Sequence, residues 1–579
     1  MYERTGTLLK HKFYEFLIPT VLTTIAAYTG NVINSILVGK LISESALSVT
    51  GLAMPIIFIM NAFFMLFAIG GSTYASIANG QRNKDMVNRI FTTTFFTGVI
   101  VTLAFSFSML IFIQPISNML AKGDIVLAKM IKDFFIPIAF NCPVLLIVMG
   151  MAYFVRIDGK PKIAANIVIT SNLASLVFAY IFIKYFNWGM TGAGLATVVG
   201  YCFGFIMLVP YFMSKQRALH FIKPSKNDLK LLPRILSIGT PKALLLCLSF
   251  LRFLTLNAII MSTLGMNGMV AMTVCVNSLM LASMFINGTI DTLLPIVGTL
   301  FGEKDYKGIY YTMKTGFRFM LIACIIVITL LIAIPKTIAG FFGIQSIEIL
   351  TIVSLALRTY ALSLVLYGIN MLLHNFYLTS NRIKLSSLIV ILNGFVFVSS
   401  FAYILSRFNS NYIWMAFLLS EAATFIVILS IGVYIRKKEA VKGVLLLDQI
   451  TEIKLLDLTI PATIESSIGL SEKIMNYCKE NNVDATRAMK FGIAVEEMAV
   501  NISKYGHRKK IGIIDVLVRI TDNELILRIR DDGLPFDPTQ YHKKETIDFS
   551  ISGIEVVKLL AKNIVYSRQL GFNVCIVTV

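Results

Sequence analysis

The sequence predicts an all-α polytopic membrane protein of twelve transmembrane helices in two six-helix lobes, followed by a C-terminal α+β sandwich domain. Three observations lead there. The 579 residues are 56% hydrophobic and 15% charged, with a mean hydropathy of +0.77, too apolar for an ordinary soluble chain. Twelve apolar runs follow one another up to residue 436, each about long enough to cross the roughly 30 Å hydrocarbon layer. After Lys438 the pattern changes to alternating strands and amphipathic helices.

The runs lie near 13–38, 46–70, 90–113, 131–154, 163–184, 191–213, 234–264, 268–300, 314–335, 350–377, 385–406 and 411–436. Arg4, Lys10 and Lys12 precede the first, and no small-residue cleavage site follows it, so it reads as a membrane helix and not a removed signal peptide. Alternate loops are basic: Arg82, Lys84 and Arg89, then Arg156, Lys160 and Lys162, then Lys215 to Lys230, Lys304 and Lys307, Arg382 and Lys384, and Arg436 to Lys438. The intervening loops carry little beyond Lys40, Lys122, Lys184, Lys336 and Arg407. The positive-inside rule therefore places both termini and the tail in the cytoplasm, with the chain in the cell membrane. The net charge of +20 sits in these short clusters, which suits lipid headgroups and argues against nucleic acid. The seven cysteines are scattered singly and imply neither a disulfide framework nor a zinc site.

The runs repeat. "GQRNKD", ending at Asp85 after the second run, returns as "FGEKD", ending at Asp305 after the eighth. "LIPT" at Thr20 matches "SIGT" at Thr240, "GKPK" at Lys162 matches "NRIK" at Lys384, and Asn172 and Asn393 fall in the fifth and eleventh runs. An even repeat of six helices keeps both copies in one orientation, related by a pseudo-twofold axis along the membrane normal. The expected domains are 1–220, 221–442 and a tail at 446–579. Two lobes with a gap opening alternately to each side are the usual architecture of secondary transport, with a receptor or membrane enzyme as the competing use of such a bundle.

"NSILVGKLISESALSVTG" at Asn34 to Gly51, the turns "NGQRNKD" and "FGEKD", "DGKPK" at Asp158 to Lys162 and "WGMTGAGLATVVG" at Trp188 to Gly200 resemble multidrug and toxic compound extrusion (MATE) transporters over about residues 10 to 438. The resemblance implies export of lipophilic or cationic small molecules in exchange for inward-moving H⁺ or Na⁺. Family members often carry one acid where this chain has Asn34, and a second four residues beyond the position of Asn172, where Leu176 stands. An ion taken up in a low-dielectric cavity needs an anionic site, so these substitutions put the coupling in question. Asp291 in "NGTIDTLLPIVG" is the acid well inside the eighth run, either functional or simply hydrated. Glu421 in "LLSEAATF" has the competing reading of a helix-packing hydrogen bond. Arg252 in the seventh run can pair with Asp291, line a wet cavity or receive an anion. With Lys242 it keeps open a flippase of anionic lipid-linked precursors. The Met- and aromatic-rich faces at Met60 to Phe67 and Met280 to Phe285 are either adaptable pocket walls or core and lipid contacts.

In the tail, Ser466 to Lys479 and Thr486 to Tyr505 read as helices, Ile554 to Ala561 as a third, and "LDLTIP", "IIDVLVRI", "ELILRIR", "NIVYSRQ" and "NVCIVTV" as strands of a mixed or antiparallel sheet. Glu497 and Asn501 are i and i+4, so their side chains share a helix face. A carboxylate there can take a proton from an attacking hydroxyl, and the amide oxygen one turn on can ligate a Mg²⁺ that bridges phosphates. Asp531 in "DDGLPFDP" can accept from an adenine amino group, Gly533 permits close backbone approach, and Gly553 opens a helix whose free N–H groups favour phosphate. No GxxxxGK[ST] occurs. The set resembles the Bergerat-fold, or GHKL, ATPases and most closely the anti-sigma-factor serine kinases, over about residues 450 to 579. That implies ATP with Mg²⁺, a small anti-anti-sigma-like protein partner, and protein-serine kinase activity. Ser550 and Ile551 stand where the lid usually has glycines, so binding without turnover stays open. His507 matches a structural loop of that family rather than a phosphoacceptor. The combined expectation is an exporter whose tail regulates or reports, with a transporter-derived receptor as the rival.

Overall fold

The structure, a computed structural model, describes residues 4–42, 44–121, 125–214, 217–341, 346–439, 441–448, 454–506, 512–521, 524–540 and 553–579. The chain divides into two compact units: residues up to Tyr14 with Tyr310–Thr312 and Asp448–Val579 form one, and Glu15–Ile309 with Met313–Leu447 the other.

The larger unit is helical. Its helices are α1 (Thr7–Leu41, its first turns in the smaller unit), α2 (Glu44–Gly80), α3 (Lys84–Ile111), a short α4 (Ile113–Ala121), α5 (Ile125–Ile157), α6 (Pro161–Lys184), α7 (Gly189–Ile206) and a short α8 (Val209–Met213). There follow α9 (Leu232–Gly302), α10 (Tyr306–Ala333), a short α11 (Pro335–Phe341), α12 (Ile347–Thr379), α13 (Ile383–Ile391), α14 (Phe397–Phe408) and α15 (Met415–Lys438). Among the described residues, eleven helical segments are long and apolar enough to cross a membrane, and α1 carries the remaining predicted run. The predicted seventh and eighth helices are the two parts of α9, which meet at a non-helical kink at Gly265, whose φ of +59° lies where glycine alone is unstrained. The eleventh is continuous from α13 to α14 through a π-turn at Leu392–Val396.

The two halves of this unit meet where α2 crosses α9, and glycines make the approach possible. A Cβ on Gly80 would lie 1.9 Å from the Thr299 carbonyl oxygen, and one on Gly302 2.1 Å from that of Ile77. Gly80 and Gly302 lie inside the two repeated motifs, each the last residue of its helix and each followed by a turn whose second residue, Arg82 or Lys304, has a positive φ. Small residues let backbones pack closely where lipid supplies no hydrophobic drive. After each crossing a side-chain-capped helix starts a new span: Asp305 accepts from the Gly308 amide, while Asn83 does the corresponding work for Met86 in the first half.

The smaller unit holds a five-stranded sheet. A two-stranded ribbon, β1 (Val441–Lys442) and β2 (Leu447–Asp448), precedes it. Then come β3 (Lys454–Pro461), α16 (Ile464–Glu480), α17 (Ala485–Asn501), β4 (Ile513–Ile520), β5 (Leu525–Asp531), α18 (Gly553–Leu560), β6 (Asn563–Gln569) and β7 (Phe572–Thr578). The order is β3-β4-β5-β7-β6, antiparallel throughout, which resolves the mixed-or-antiparallel alternative. Thr463 and Asp484 cap α16 and α17, accepting from the amides of Ser466 and Arg487. Phe491, Val495 and Met498 on α17 pack with Leu470 and Ile474 of α16 onto Val516, Val518, Leu527 and Ile529 of the sheet.

The opposite face of the sheet is polar yet buried: Asp457, Asp515, Arg528 and Arg530 alternate with the core residues and are each under a tenth exposed. The chain's own N-terminus contributes to covering it. The Arg4 amide donates to the Asp457 carbonyl at 3.0 Å, and its guanidinium lies 3.6 Å from Asp457 Oδ2 and 3.5 Å from Asp515 Oδ2. Thr5 N–H donates to Thr459 Oγ1, whose hydroxyl donates to Asp515 Oδ1 at 2.7 Å, and Lys12 Nζ stands 4.8 Å over the Phe572 ring. Arg4 and Lys12 are thus more than the topology charges that their place before an apolar run suggests.

Candidate functional site

In the smaller unit the predicted nucleotide residues converge. α17 presents Glu497 and Asn501 on one face, both half-buried, because Val495, Met498 and Ala499 on the other face are locked in the core. Asn501 donates Nδ2 to the Glu497 carbonyl at 2.7 Å, so its amide oxygen is not engaged in that bond. A π-turn, Ile502–Gly506, follows at once. Gly553 at the start of α18 closes on the pair: a Cβ there would lie 2.0 Å from Glu497 Oε2 and 3.2 Å from Asn501 Nδ2. The N-terminal end of α18 therefore lies beside the Glu497 carboxylate.

Asp531 ends β5 on the same face of the sheet. Its Oδ1 accepts from Gly533 N–H at 2.8 Å and from Asn573 Nδ2 at 2.9 Å. A Cβ on Gly533 would meet the Gly506 carbonyl at 2.6 Å, and the Leu534 amide donates to that same carbonyl, so the π-turn after Asn501 and the Asp531 loop are built against each other. The sequence does not mark Asn573, one amide in a short strand. It also donates to the Leu534 carbonyl, while its Oδ1 accepts from Arg568 Nη1 at 2.7 Å and from the Tyr566 hydroxyl at 2.9 Å. Burial pushes the Tyr566 hydroxyl pKa up, against Arg568, so it stays a donor at neutral pH.

The arrangement fits an adenine nucleotide. Asp531 and Gly533, joined by their hydrogen bond, set a carboxylate beside backbone without a side chain, as contact with a base edge would need, and Glu497 with the Asn501 amide oxygen would offer an acid and a hard oxygen donor to Mg²⁺ and phosphate. Such a group, when bound, would supply the transferable phosphoryl. Glu497 would hold a proton from a hydroxyl, and Asn501 would hold the metal. Ser550, Ile551 and His507 lie outside the described residues.

In the larger unit, Asn34 and Asn172 are brought together. With Gly30, Ser175, Thr197 and Tyr201 they line one polar cavity, in which Asn172 donates Nδ2 to the Val168 carbonyl. Leu176 lines it too, so the cavity contains no carboxylate among the described residues. Asp291 and Arg252, both half-buried, make no ion pair with each other; the pairing that the sequence allows does not form. Asp291 instead lies in the field of Tyr28, Tyr153 and Lys242, one turn beyond Asn287, which donates to the Tyr28 hydroxyl at 3.1 Å. Arg252 lies in the field of Tyr360, Tyr367 and Glu421. Glu421 is buried, and its Oε2 accepts from Asn370 Nδ2 at 2.7 Å and from Asn393 Nδ2. Nothing in the sequence singles out Asn370.

Comparisons with known proteins agree with both halves of this description. The MatE family model matches residues 19–181 and again 241–404, and a histidine kinase-like ATPase domain matches 460–577. A multidrug export protein, MepA, of Staphylococcus haemolyticus is 20% identical over 418 residues, 71% of this chain and 90% of its own length. The solved structure of a Vibrio cholerae MATE transporter superposes with a TM-score of 0.69 at 17% identity, covering 76% of this chain and 99% of that one. An outward-facing multidrug resistance MATE family transporter gives 0.67 at 18%, covering 74% and 96%. At such identities the structural likeness speaks for the fold of the helical unit.

Proposed function

The chain belongs to the MatE family, and from that premise we propose that it is a cation-coupled exporter of lipophilic or cationic small molecules whose ATP-binding tail regulates it or signals from it. The observation that carries the exporter reading is the glycine-mediated crossing of α2 and α9, which joins two repeated halves at corresponding residues, Gly80 and Gly302. We take the halves as 1–220 and 221–442 and the tail as 446–579. With the basic loops in the cytoplasm, this crossing lies at the cytoplasmic end of both helices and shuts that end, while rocking of the halves would open it. The polar cavity at Asn34 and Asn172, and Asp291 with Arg252 in the second half, are the candidate substrate and ion contacts.

ATP does not power the movement in this account, because the chain carries no GxxxxGK[ST] sequence. Glu497, Asn501, Asp531, Gly533 and Gly553 instead support Mg²⁺–ATP binding of the GHKL type and, with Glu497 as base, phosphorylation of a serine on a small anti-anti-sigma-like partner. The cavity, with no carboxylate among the described residues, favours one second reading, a receptor that binds ligand between the halves and controls the tail without net transport. Reconstituted full-length protein decides between them. Ethidium accumulation driven by an imposed pH or Na⁺ gradient supports export, whereas ethidium binding without movement supports the receptor.

A further inference from the structure

We propose that Glu421 is the proton-carrying site of the membrane unit, standing in the second half for the carboxylates that the first half lacks. This rests on the cation-coupled exporter reading above. Three observations on different elements support it.

The first is a deficit of hydrogen-bond donors. Glu421 on α15 is 7% exposed, and Asn370 of α12 and Asn393 of the π-turn are 0% and 1%. Both amides donate Nδ2 to the same carboxylate oxygen, Oε2, and Asn370 donates also to the Glu421 carbonyl at 3.0 Å. The price of this arrangement is that Asn370 Oδ1 and Asn393 Oδ1 are buried without a hydrogen-bond partner. Three buried groups thus hold one anion with two acceptors left over. A proton added at Oε2 is accommodated by a flip of one amide, which exchanges its oxygen and nitrogen: that oxygen then accepts from the new O–H while the other amide still donates to Oε2. The cluster can therefore satisfy the carboxylate in one state and the carboxylic acid in the other. Two N–H donors directed at Oε2 suit a proton better than Na⁺, which needs converging oxygens.

The second is the π-turn. Leu392–Val396 interrupts an otherwise α-helical span at Asn393, an irregularity found mostly at functional sites. The third is the repeat. The offsets of 220 to 222 that relate the halves along the chain bring Glu421 opposite Val199 to Tyr201 of α7, a stretch without a carboxylate and centred on Gly200. In the first half a Cβ at Gly200 would lie 2.6 Å from the Ser171 carbonyl, so no side chain can stand there. The second half has a carboxylate at the corresponding point.

The charged and titratable groups in the field of Glu421 are Arg252 of α9 and Tyr360 and Tyr367 of α12. The step is proton uptake from water onto Glu421 Oε2 and its later return to water on the other side, with no other covalent bond made or broken.

The test uses the full-length protein in liposomes and has two readouts. Infrared difference spectra between acidic and alkaline buffer show the carbonyl band of a protonated buried carboxyl group, and Glu421→Gln removes it. Superimposable spectra of wild type and Glu421→Gln overturn the site. In parallel, the pH dependence of ethidium affinity, about 5- to 150-fold for coupling of this kind, is lost in Glu421→Gln and displaced along the pH axis in Asn393→Ala. Glutamine keeps a side chain the amides can bond, and an unchanged melting temperature confirms the fold. Glu421→Asp, which restores a carboxyl group at a shifted depth, recovers part of the band if the role is protonation. If the band behaves as predicted and no gradient moves ethidium, the exporter reading fails and the protonation site stands. If Glu421→Gln moves ethidium with wild-type pH dependence, or only Na⁺ drives movement, the site falls.

Discussion

Replacing Arg4 by alanine tests whether the N-terminus is part of the tail's fold. The guanidinium lies 3.6 and 3.5 Å from Asp457 and Asp515, with side-chain exposures of 1%, 3% and 5%. At an effective dielectric of 20, each contact is worth about 4–5 kcal/mol of gross attraction, offset by desolvation of all three groups. Removing the arginine leaves two buried carboxylates on neighbouring strands, and truncation of one partner in such a cluster costs roughly 3–5 kcal/mol. For a domain of this size that lowers the tail's melting transition by about 10 °C. Calorimetry of the detergent-solubilised full chain measures the shift, and the cycle Arg4→Ala, Asp515→Asn and the double variant isolates the pair, with an expected coupling of roughly 1–3 kcal/mol. A melting temperature unchanged within error, or strictly additive single effects, would refute the assignment of Arg4 to the tail's fold.

Asp531→Ala is expected to abolish Mg²⁺–ATP binding by the full chain, measured by isothermal titration; retained affinity would move the base-binding recess elsewhere. Gly553→Ala places a methyl group on the flexible end of Glu497 and not on backbone, so melting changes by less than about 1 kcal/mol while phosphoryl transfer to a partner falls far more than ATP affinity. Equal losses in both would show that Glu497 serves binding alone. Gly302→Val collides with the Ile77 carbonyl across the α2–α9 crossing and is expected to hold the cytoplasmic end open. Increased labelling of a cysteine introduced at Ser76 by a cytoplasmic maleimide reports this, and unchanged labelling would show that the crossing does not gate.

Run length and hydropathy are enough to find the membrane helices, since a span must be apolar over a fixed distance whatever its neighbours. They place the boundary between the seventh and eighth spans at Gly265 but cannot tell whether a kink or a loop lies there, because a glycine kink and a glycine in a loop look alike in sequence. Period-two alternation locates the strands of the tail closely, and helical spacing pairs Glu497 with Asn501. Contacts between distant residues are illegible: nothing near Asn573 points to Asp531, and Arg4 meets Asp457 only in three dimensions. Glu421 is visible as a buried acid, but the two amides that give it chemical meaning come from helices 51 and 28 residues away in the chain. Buried polar residues are simple to find and hard to interpret until their partners are known.

The central claim, that an ion gradient moves the substrate and the tail only controls the movement, is tested most directly in proteoliposomes containing the full chain. With an imposed pH gradient and no nucleotide, ethidium should accumulate. Mg²⁺–ATP on the tail side should change the rate in wild type and leave Asp531→Ala unaffected. Accumulation that requires ATP hydrolysis and persists after the gradient is collapsed would contradict the account.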